Sequence, residues 1–355
     1  MTTGVGRRPR QRPTIRDIAD LAGVSKSTVS NVIREVACVA PDTRDRVLKA
    51  IATAGYRPNA VARHLVKQRT TTVGILVGDF SNLFYSELAK LVEQRLSESG
   101  FATMICNTDG HRASEETRIA MLLEHRVAGI LMLQFSGDPA TLRELRDEGV
   151  PVVIVSCWEE EADCVAVDEE AGSALAVSHL LELGHRRIAY VSSDLVEPKT
   201  DAARFAGHRA ALARAGVAQA AELVQRLVHP AYLRGDGDMR AEVERSLSLD
   251  EPPTAFFASN DLVAIDLIET IEDLGLQVPG NVSVVGFDDI AMAGLARVSL
   301  TTVSQPRNEP AQLATGIVID RIEGRDGPGL RQLRLAPTLV VRRSTAPLPT
   351  SGRRR

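Results

Sequence analysis

The sequence predicts an all-helical head joined to a two-lobed, doubly wound α/β body. Three observations carry this. Charge is divided along the chain: residues 1–69 hold 14 Lys and Arg against 5 Asp and Glu, a net +9, while the remainder holds 28 against 41, a net −13. A basic head on an acidic body points to a polyanion for the head and a different partner for the body. Apolar spacing is helical before residue 70, in the sets Ile15, Ile18, Leu21, then Val29, Val32, Ile33, then Val47, Leu48, Ile51. Beyond it, short runs of Val, Ile and Leu alternate with amphipathic helical segments, the rhythm of parallel sheets covered by helices. With 355 residues, 44% of them hydrophobic, the chain exceeds one average domain of roughly 100 to 200 residues. Its apolar runs fall far short of the ~20 residues that cross a bilayer, so no membrane partner is expected.

Residues 1–13 are arginine-rich without a core-forming pattern, and are expected to form a disordered basic arm. A helix-turn-helix is expected over 14–58. Thr14 caps the first helix, with Asp17 placed favourably against the positive helix end. Gly23 ends that helix where a positive φ is needed, Val24 plugs the turn, and Ser25 caps the second helix. With Val29, Val32 and Ile33 turned inward, Lys26, Ser27, Ser30, Asn31 and Arg34 face outward. Such a row suits reading of base edges in the major groove of duplex DNA, with Asn31 matched to adenine and Lys26 to guanine. Arg16, Thr28, Ser30 and Arg44 suit phosphates, which position a helix without reading sequence. Thr14 and Tyr56, at the two ends of the domain, are grouped with the DNA-binding residues. A third helix opens at Pro41 and closes at Gly55.

Residues 59–69 are expected to be a hinge helix and linker. The stretch from Asn59 through Ala62 to Leu65 spans about two turns, and isolated helices under ~12 residues are marginal in water, so it should order only on binding. Val61 and Leu65 share a face that a symmetry mate can cover, and Leu65 suits a wedge between minor-groove base steps. A plain interdomain linker is the alternative.

In the body, 70–343, strands are expected at 73–77, 102–106, 129–133, 152–156, 187–191, 223–228, 254–258 and 282–287. The stretch 163–168 reads as a crossing between lobes. The lobes are assigned as 70–168 plus 300–328, and 169–299 plus 329–343. Residues 344–355, with two prolines and three terminal arginines, read as a disordered tail.

Catalytic and metal signals are lacking. Cys38, Cys106, Cys157 and Cys164 form no CxxC pair, and the seven histidines form no metal-binding spacing. Gly74-Ile-Leu-Val-Gly78 lacks the spacing of a dinucleotide turn, and no GxSxG elbow or GxxxxGK[ST] loop is present, so an oxidoreductase, hydrolase or nucleotide hydrolase is disfavoured and no cofactor is expected. The first residues contain no apolar core of a secretory signal, which predicts a cytoplasmic protein rather than a secreted binding receptor.

Ligands of open α/β lobes sit beyond the carboxyl ends of the strands. Polar groups fall there: Asp79 with Ser81, Ser156 with Trp158, Asn260 with Asp261, and Asp288. Arg204, near a helix start, is suited to a fork-like contact. Asp261 reads better as a helix-start group and Asp289 as a turn residue. Trp158 either stacks on a ring or packs in the core.

Several motifs carry a resemblance: Thr14-Ile-Arg-Asp-Ile-Ala19 with Ala22-Gly-Val-Ser25 and Thr28-Val-Ser30, the linker from Gly55-Tyr-Arg-Pro-Asn59 to Leu65, and Asn82-Leu-Phe84. Arg204-Phe-Ala-Gly207, Ala258-Ser-Asn-Asp261, Val284-Val-Gly-Phe-Asp-Asp289 and Leu300-Thr-Thr-Val303 extend it. Over nearly its whole length the chain resembles the LacI/GalR family of bacterial transcriptional repressors. That resemblance implies a homodimer on a pseudo-palindromic operator, with hinge helices in the central minor groove and a body like periplasmic sugar-binding proteins. It implies base reading by Lys26, Ser27 and Asn31, a hinge that begins at Asn59, and a leucine lever at Leu65. It also implies a small-molecule effector, a sugar or related metabolite, held by Arg204, Asn260 and Asp288 with Phe84 and Gln305 nearby. Three sites depart from the family pattern. Ser156-Cys157 replaces the usual Asp-Arg, removing a carboxylate suited to sugar hydroxyls; Leu83 replaces proline; and Ala40 replaces a capping serine, a loss of about 1 kcal/mol. No leucine heptad follows the last strand, so a dimer is expected rather than a tetramer.

Overall fold

The structure, a computed structural model, describes residues 13–33, 39–56, 70–193, 198–227, 238–325 and 327–348. It divides into two compact units at Thr70/Thr71. The expectations for the basic arm up to residue 12, for Arg34, and for the hinge with Asn59, Ala62 and Leu65 lie outside the described residues.

The first unit contains α1 (Ile15–Ala22), α2 (Lys26–Ile33) and α3 (Pro41–Ala54). Thr14 and Asp17 form a reciprocal capping box: the Asp17 amide donates to the Thr14 hydroxyl, and the Asp17 carboxylate accepts from the Thr14 amide at 2.7 Å. Gly23 closes α1 at φ 63°, a conformation that costs glycine little, and the Thr28 amide donates to Ser25 Oγ at 3.1 Å to cap α2. Ile18, Ala19, Ala22, Val29, Val32, Val47 and Ala50 make the core. Leu21 and Leu48, expected on the apolar stripe, are exposed instead; the small Ala19 and Ala22 take the inward positions and let the helices approach closely. Ala40 makes no side-chain cap, and α3 begins on Pro41 with Asp42 in its first turn.

The second unit holds two six-stranded sheets. The first lobe contains β1 (Thr72–Val77), β2 (Ala102–Asn107), β3 (Gly129–Met132), β4 (Val152–Val155), β5 (Asp163–Val167) and β11 (Gln332–Leu335), in the order β11-β5-β4-β3-β1-β2, all parallel. Helices α4 (Leu83–Glu98), α5 (Arg112–Glu124), α6 (Pro139–Asp147) and α11 (Asn308–Glu323) cover it. The second lobe contains β6 (Ile188–Ser193), β7 (Val224–Leu227), β8 (Ala255–Ala258), β9 (Ser283–Asp288), β10 (Thr301–Ser304) and β12 (Thr338–Val340), in the order β12-β10-β9-β8-β6-β7. Only β12 of these runs antiparallel. Its helices are α7 (Glu169–Glu182), α8 (Pro198–Arg214), α9 (Asp238–Leu247) and α10 (Asp261–Asp273). The central strands are buried on both faces, which explains their continuous apolar runs. Gly207 lets α8 lie against α7, since a Cβ there would stand 2.2 Å from the Glu170 carbonyl oxygen.

Three expectations are corrected. Residues 163–167 are a strand of the first lobe, not a crossing; the leading Asp163 reads as a loop residue but is buried against Arg321, at 2.8 Å from both carboxylate oxygens. The lobe assignment also changes, because 301–304 pairs with β9 in the second lobe and 332–335 pairs with β5 in the first. The chain therefore crosses after β5, after β10 and after β11. Finally, 344–348 is not a disordered tail. Ser344 Oγ donates to the Val284 carbonyl and accepts from the Thr301 amide at 2.8 Å, and the Leu348 amide donates to Leu183 O at 2.8 Å. Hydrogen bonds rather than apolar packing hold this segment, so hydrophobic patterning does not reveal it.

Candidate functional site

The head presents its surface through α2. Lys26 and Ser27 are exposed, and Thr28, Ser30 and Asn31 are half-buried on the helix whose opposite face, Val29 and Val32, seals the core. Arg16 and Thr14 are exposed at the start of α1. Ser25 Oγ lies 2.7 Å from the Ser27 hydroxyl and 2.8 Å from that of Thr28 at the α2 N-terminus. This end of a helix is electropositive and rich in donors, the setting in which phosphates bind. Tyr56 packs against the head core, so its ring is partly structural.

In the body, the second lobe builds a buried polar group at the carboxyl ends of its strands. Arg204, on the first half of α8, is 5% exposed. Its Nε donates to Glu169 at 2.7 Å, Nη1 to the Ser259 carbonyl, and Nη2 to Asp288 at 3.5 Å, while its guanidinium lies 3.8 Å over the Phe287 ring. Gln305 Nε2 donates to Asp288 at 2.6 Å, and Arg307 donates to the carbonyls of Asp288 and Asp289 at 2.9 Å. Asp288 adopts φ 116° and Ser156 φ 74°, conformations that side-chain-bearing residues avoid and that gather at binding sites. Burial works against the charge of Arg204, but Glu169 and Asp288 outweigh it and hold its pKa above the ordinary value. Burial pushes the Asp288 carboxyl up to about 6 against the opposing pull of Arg204.

The sequence-selected residues divide. Arg204, Asp288 and Gln305 are joined directly. Asn260 caps α10, its Oδ1 accepting from the Val263 amide at 2.8 Å, beside the Ser259 carbonyl that Arg204 binds. Asp261 accepts from Thr302 Oγ1 and the Ile290 amide, the structural role expected of it. Asp79 is engaged by the Ser81 amide at 2.7 Å, and Trp158 lies 4.1 Å under the Arg334 guanidinium. Among the described residues, no hydrogen bond links Asp79, Ser156 or Trp158 to the Arg204 group. Phe84 is packed in a buried apolar cluster and meets Tyr85 edge-to-face at 5.3 Å.

Sequence reasoning missed Tyr85, Glu169 and Ser259. Burial, followed by the charge of Asp288, raises the pKa of the Tyr85 phenol; Arg204, Cys157 and Glu169 also act on it. The Tyr85 phenol thus lies within electrostatic reach of the second-lobe polar group. Its place directly after Asn82-Leu-Phe84 was the available signal. Ser193 Oγ, Ser259 Oγ and Gln305 Oε1 are buried without a hydrogen-bond partner among the described residues. They lie at or just beyond the ends of β6, β8 and β10. Buried polar atoms are normally satisfied, so unsatisfied ones at the strand ends where α/β lobes bind ligands make this end of the lobe the candidate ligand position.

No helix of the described residues is long and apolar enough to cross a membrane, and they contain no cluster of metal-ligating side chains. A capped helix-turn-helix followed by a two-lobed body with a polar interlobe site defines the class of ligand-responsive DNA-binding regulators. Comparison with known proteins places the chain within that class. Residues 14–59 match the bacterial regulatory proteins of the lacI family, and residues 177–345 match the periplasmic binding protein-like domain. Catabolite control protein A of Priestia megaterium is 35% identical over 300 residues, 82% of this chain and 87% of that protein. The HTH-type transcriptional repressor PurR of Photobacterium profundum is 33% identical over 342 residues, 94% and 99% of the two chains. Among solved structures, the transcriptional regulator CelR–cellobiose complex is 31% identical, with a TM-score of 0.68 over 94% of this chain and 100% of that one. The chain belongs to the lacI family of bacterial transcriptional regulators.

Proposed function

We propose that this protein is a transcriptional repressor that binds a pseudo-palindromic operator as a homodimer in the cytoplasm, under the control of a small metabolite and without catalytic activity of its own. The observation that carries the DNA role is the capped α2 helix, with Lys26, Ser27 and Asn31 on the face opposite a sealed core. Lys26 and Asn31 read base edges, each good contact contributing roughly 1–3 kcal/mol of discrimination; Arg16, Thr28 and Ser30 contact phosphates. The unsatisfied Ser259 and Gln305 atoms, on residues that bond Arg204 and Asp288, support the effector role. An uncharged sugar or related metabolite fits a site whose Arg204 guanidinium already has two carboxylate partners, and the named complex with cellobiose agrees with such a ligand class. An effector that prefers one lobe orientation changes DNA affinity through the linker after the head, with a coupling typically of about 1–3 kcal/mol.

The test is a gel-shift titration with the full chain and a duplex selected from random DNA. Wild type should bind it over random competitor, and Asn31→Ala should lose that preference while keeping nonspecific binding. Addition of sugars should shift the wild-type titration and leave a Gln305→Ala variant unmoved. Equal preference in wild type and Asn31→Ala removes the base-reading assignment.

A further inference from the structure

An ion pair between Glu159 and Lys199 joins the first lobe to the second-lobe helix that carries Arg204. The 156–162 loop of the first lobe is fixed on several sides: Gln332 Nε2 donates to the Glu159 and Glu160 carbonyls at 3.1 and 3.0 Å, and Arg143 on α6 pairs with Glu161 at 3.1 Å. Within it, the Glu159 side chain is only 5% exposed. One carboxylate oxygen accepts from the amides of Glu160 and Glu161, and the other meets Lys199 Nζ at 2.6 Å. Lys199 stands in the first turn of α8, the second-lobe helix that carries Arg204 five residues later.

We infer that Glu159 and Lys199 form a positioning pair across the cleft, holding α8, and with it Arg204, at a set distance from the first lobe. The inference rests on the reading of the cleft as the effector site and assigns the residues that regulate it. Glu159 is the rigid half, desolvated and oriented by two amides, so only the lysine has to move when the lobes part. Because Lys199 is half exposed, the attraction is open to screening by salt. Lobe movements of this hinge type are biased by whatever contacts differ between the two arrangements, and a pair that spans the cleft is one that parting of the lobes would break.

Trp158, the chain's one tryptophan, adjoins Glu159 and reports on the pair without any effector. In the full-length protein, Lys199→Met should red-shift its emission and raise its quenching by acrylamide, while Lys199→Arg restores wild-type values. Glu159→Gln, which keeps an oxygen for the two amides, should match Lys199→Met, and the double variant should add nothing further. Wild-type protein in about 1 M NaCl should move toward the Lys199→Met values, and that variant should not respond. The inference is overturned if folded Lys199→Met quenches like wild type, if Lys199→Arg fails to restore, if the single effects add, or if salt leaves wild type unchanged. The salt measurement needs no substitution and so does not depend on a variant folding. A negative result leaves the effector site standing, because that reading is tested by ligand response at Gln305.

Discussion

Burial of His208 makes the stability of the body fall toward acid pH. The residue lies on α8 with no exposed surface, its ring stacked between Phe205 and Phe257 at centroid distances of 6.2 and 6.1 Å and 5.5 Å from Tyr190. Neither ring nitrogen has a hydrogen bond of acceptable geometry among the described residues; the Gln219 amide is close enough to favour the imidazolium slightly, but burial dominates and pushes the pKa down to about 4. In the unfolded chain the same group titrates near 6.5. Above pH 6.5 both states are neutral and the residue contributes no pH dependence. From 6.5 down to 4 the unfolded chain takes up a proton that the folded chain refuses, so stability falls as pH falls; below 4 the loss is complete. At about 1.36 kcal/mol per unit, the loss is on the order of 3 kcal/mol. His208→Phe keeps the stack and removes the titration. Urea unfolding of wild type and variant between about pH 7.5 and 4.5 should therefore show the variant gaining on wild type toward acid by most of that amount. Carboxyls such as Asp266 and Asp288, pushed up by burial to about 6, titrate in the same window, so the difference between the two proteins is the quantity to measure. Parallel curves would refute the reasoning.

Other consequences follow from single contacts. Arg204→Met strands Glu169 and Asp288 in the interior and should cost the body about 3–5 kcal/mol, read from thermal or urea unfolding; a loss under about 1 kcal/mol would show that the network contributes little. Gly207→Ala places a methyl against the Glu170 carbonyl and should cost about 1–3 kcal/mol by forcing α7 and α8 apart, whereas Ala206→Ser beside it, on the exposed side, should be nearly neutral. Ser344→Ala removes one hydrogen bond donated to Val284 and one accepted from Thr301, and should cost about 1–3 kcal/mol in the same assay, with faster proteolytic trimming of the C-terminal segment.

Much of the architecture was legible because it rests on period. The helical spacing of Val29 and Val32, and the apolar runs of β1, β3, β8 and β9, are local signals of burial. What was illegible depends on partners distant in sequence. Asp163 begins a buried strand because Arg321, 158 residues away, neutralises it. β10 and β11 could not be assigned to lobes because both are short, and their neighbours are decided by sheet pairing rather than by their own residues. In the site, Arg204, Asp288 and Gln305 were identified individually, but not that Arg204 commits its donors to Glu169, Ser259 and Asp288. The charge available to a ligand is therefore less than the sequence suggests. Tyr85 and Phe84 are adjacent on a helix with apolar residues on more than one side, so spacing alone did not show which of them lies within reach of the polar group.

Control of transcription by this protein depends first on the head reading DNA sequence. Selection of bound duplexes from a random pool by the full-length protein, at moderate salt, tests this directly. A two-fold-symmetric site should be enriched, with Lys26→Ala and Asn31→Ala altering the preferred bases symmetrically in both halves. A bound pool no different from the input, or the same enriched site for wild type and both variants, would contradict sequence reading by the head.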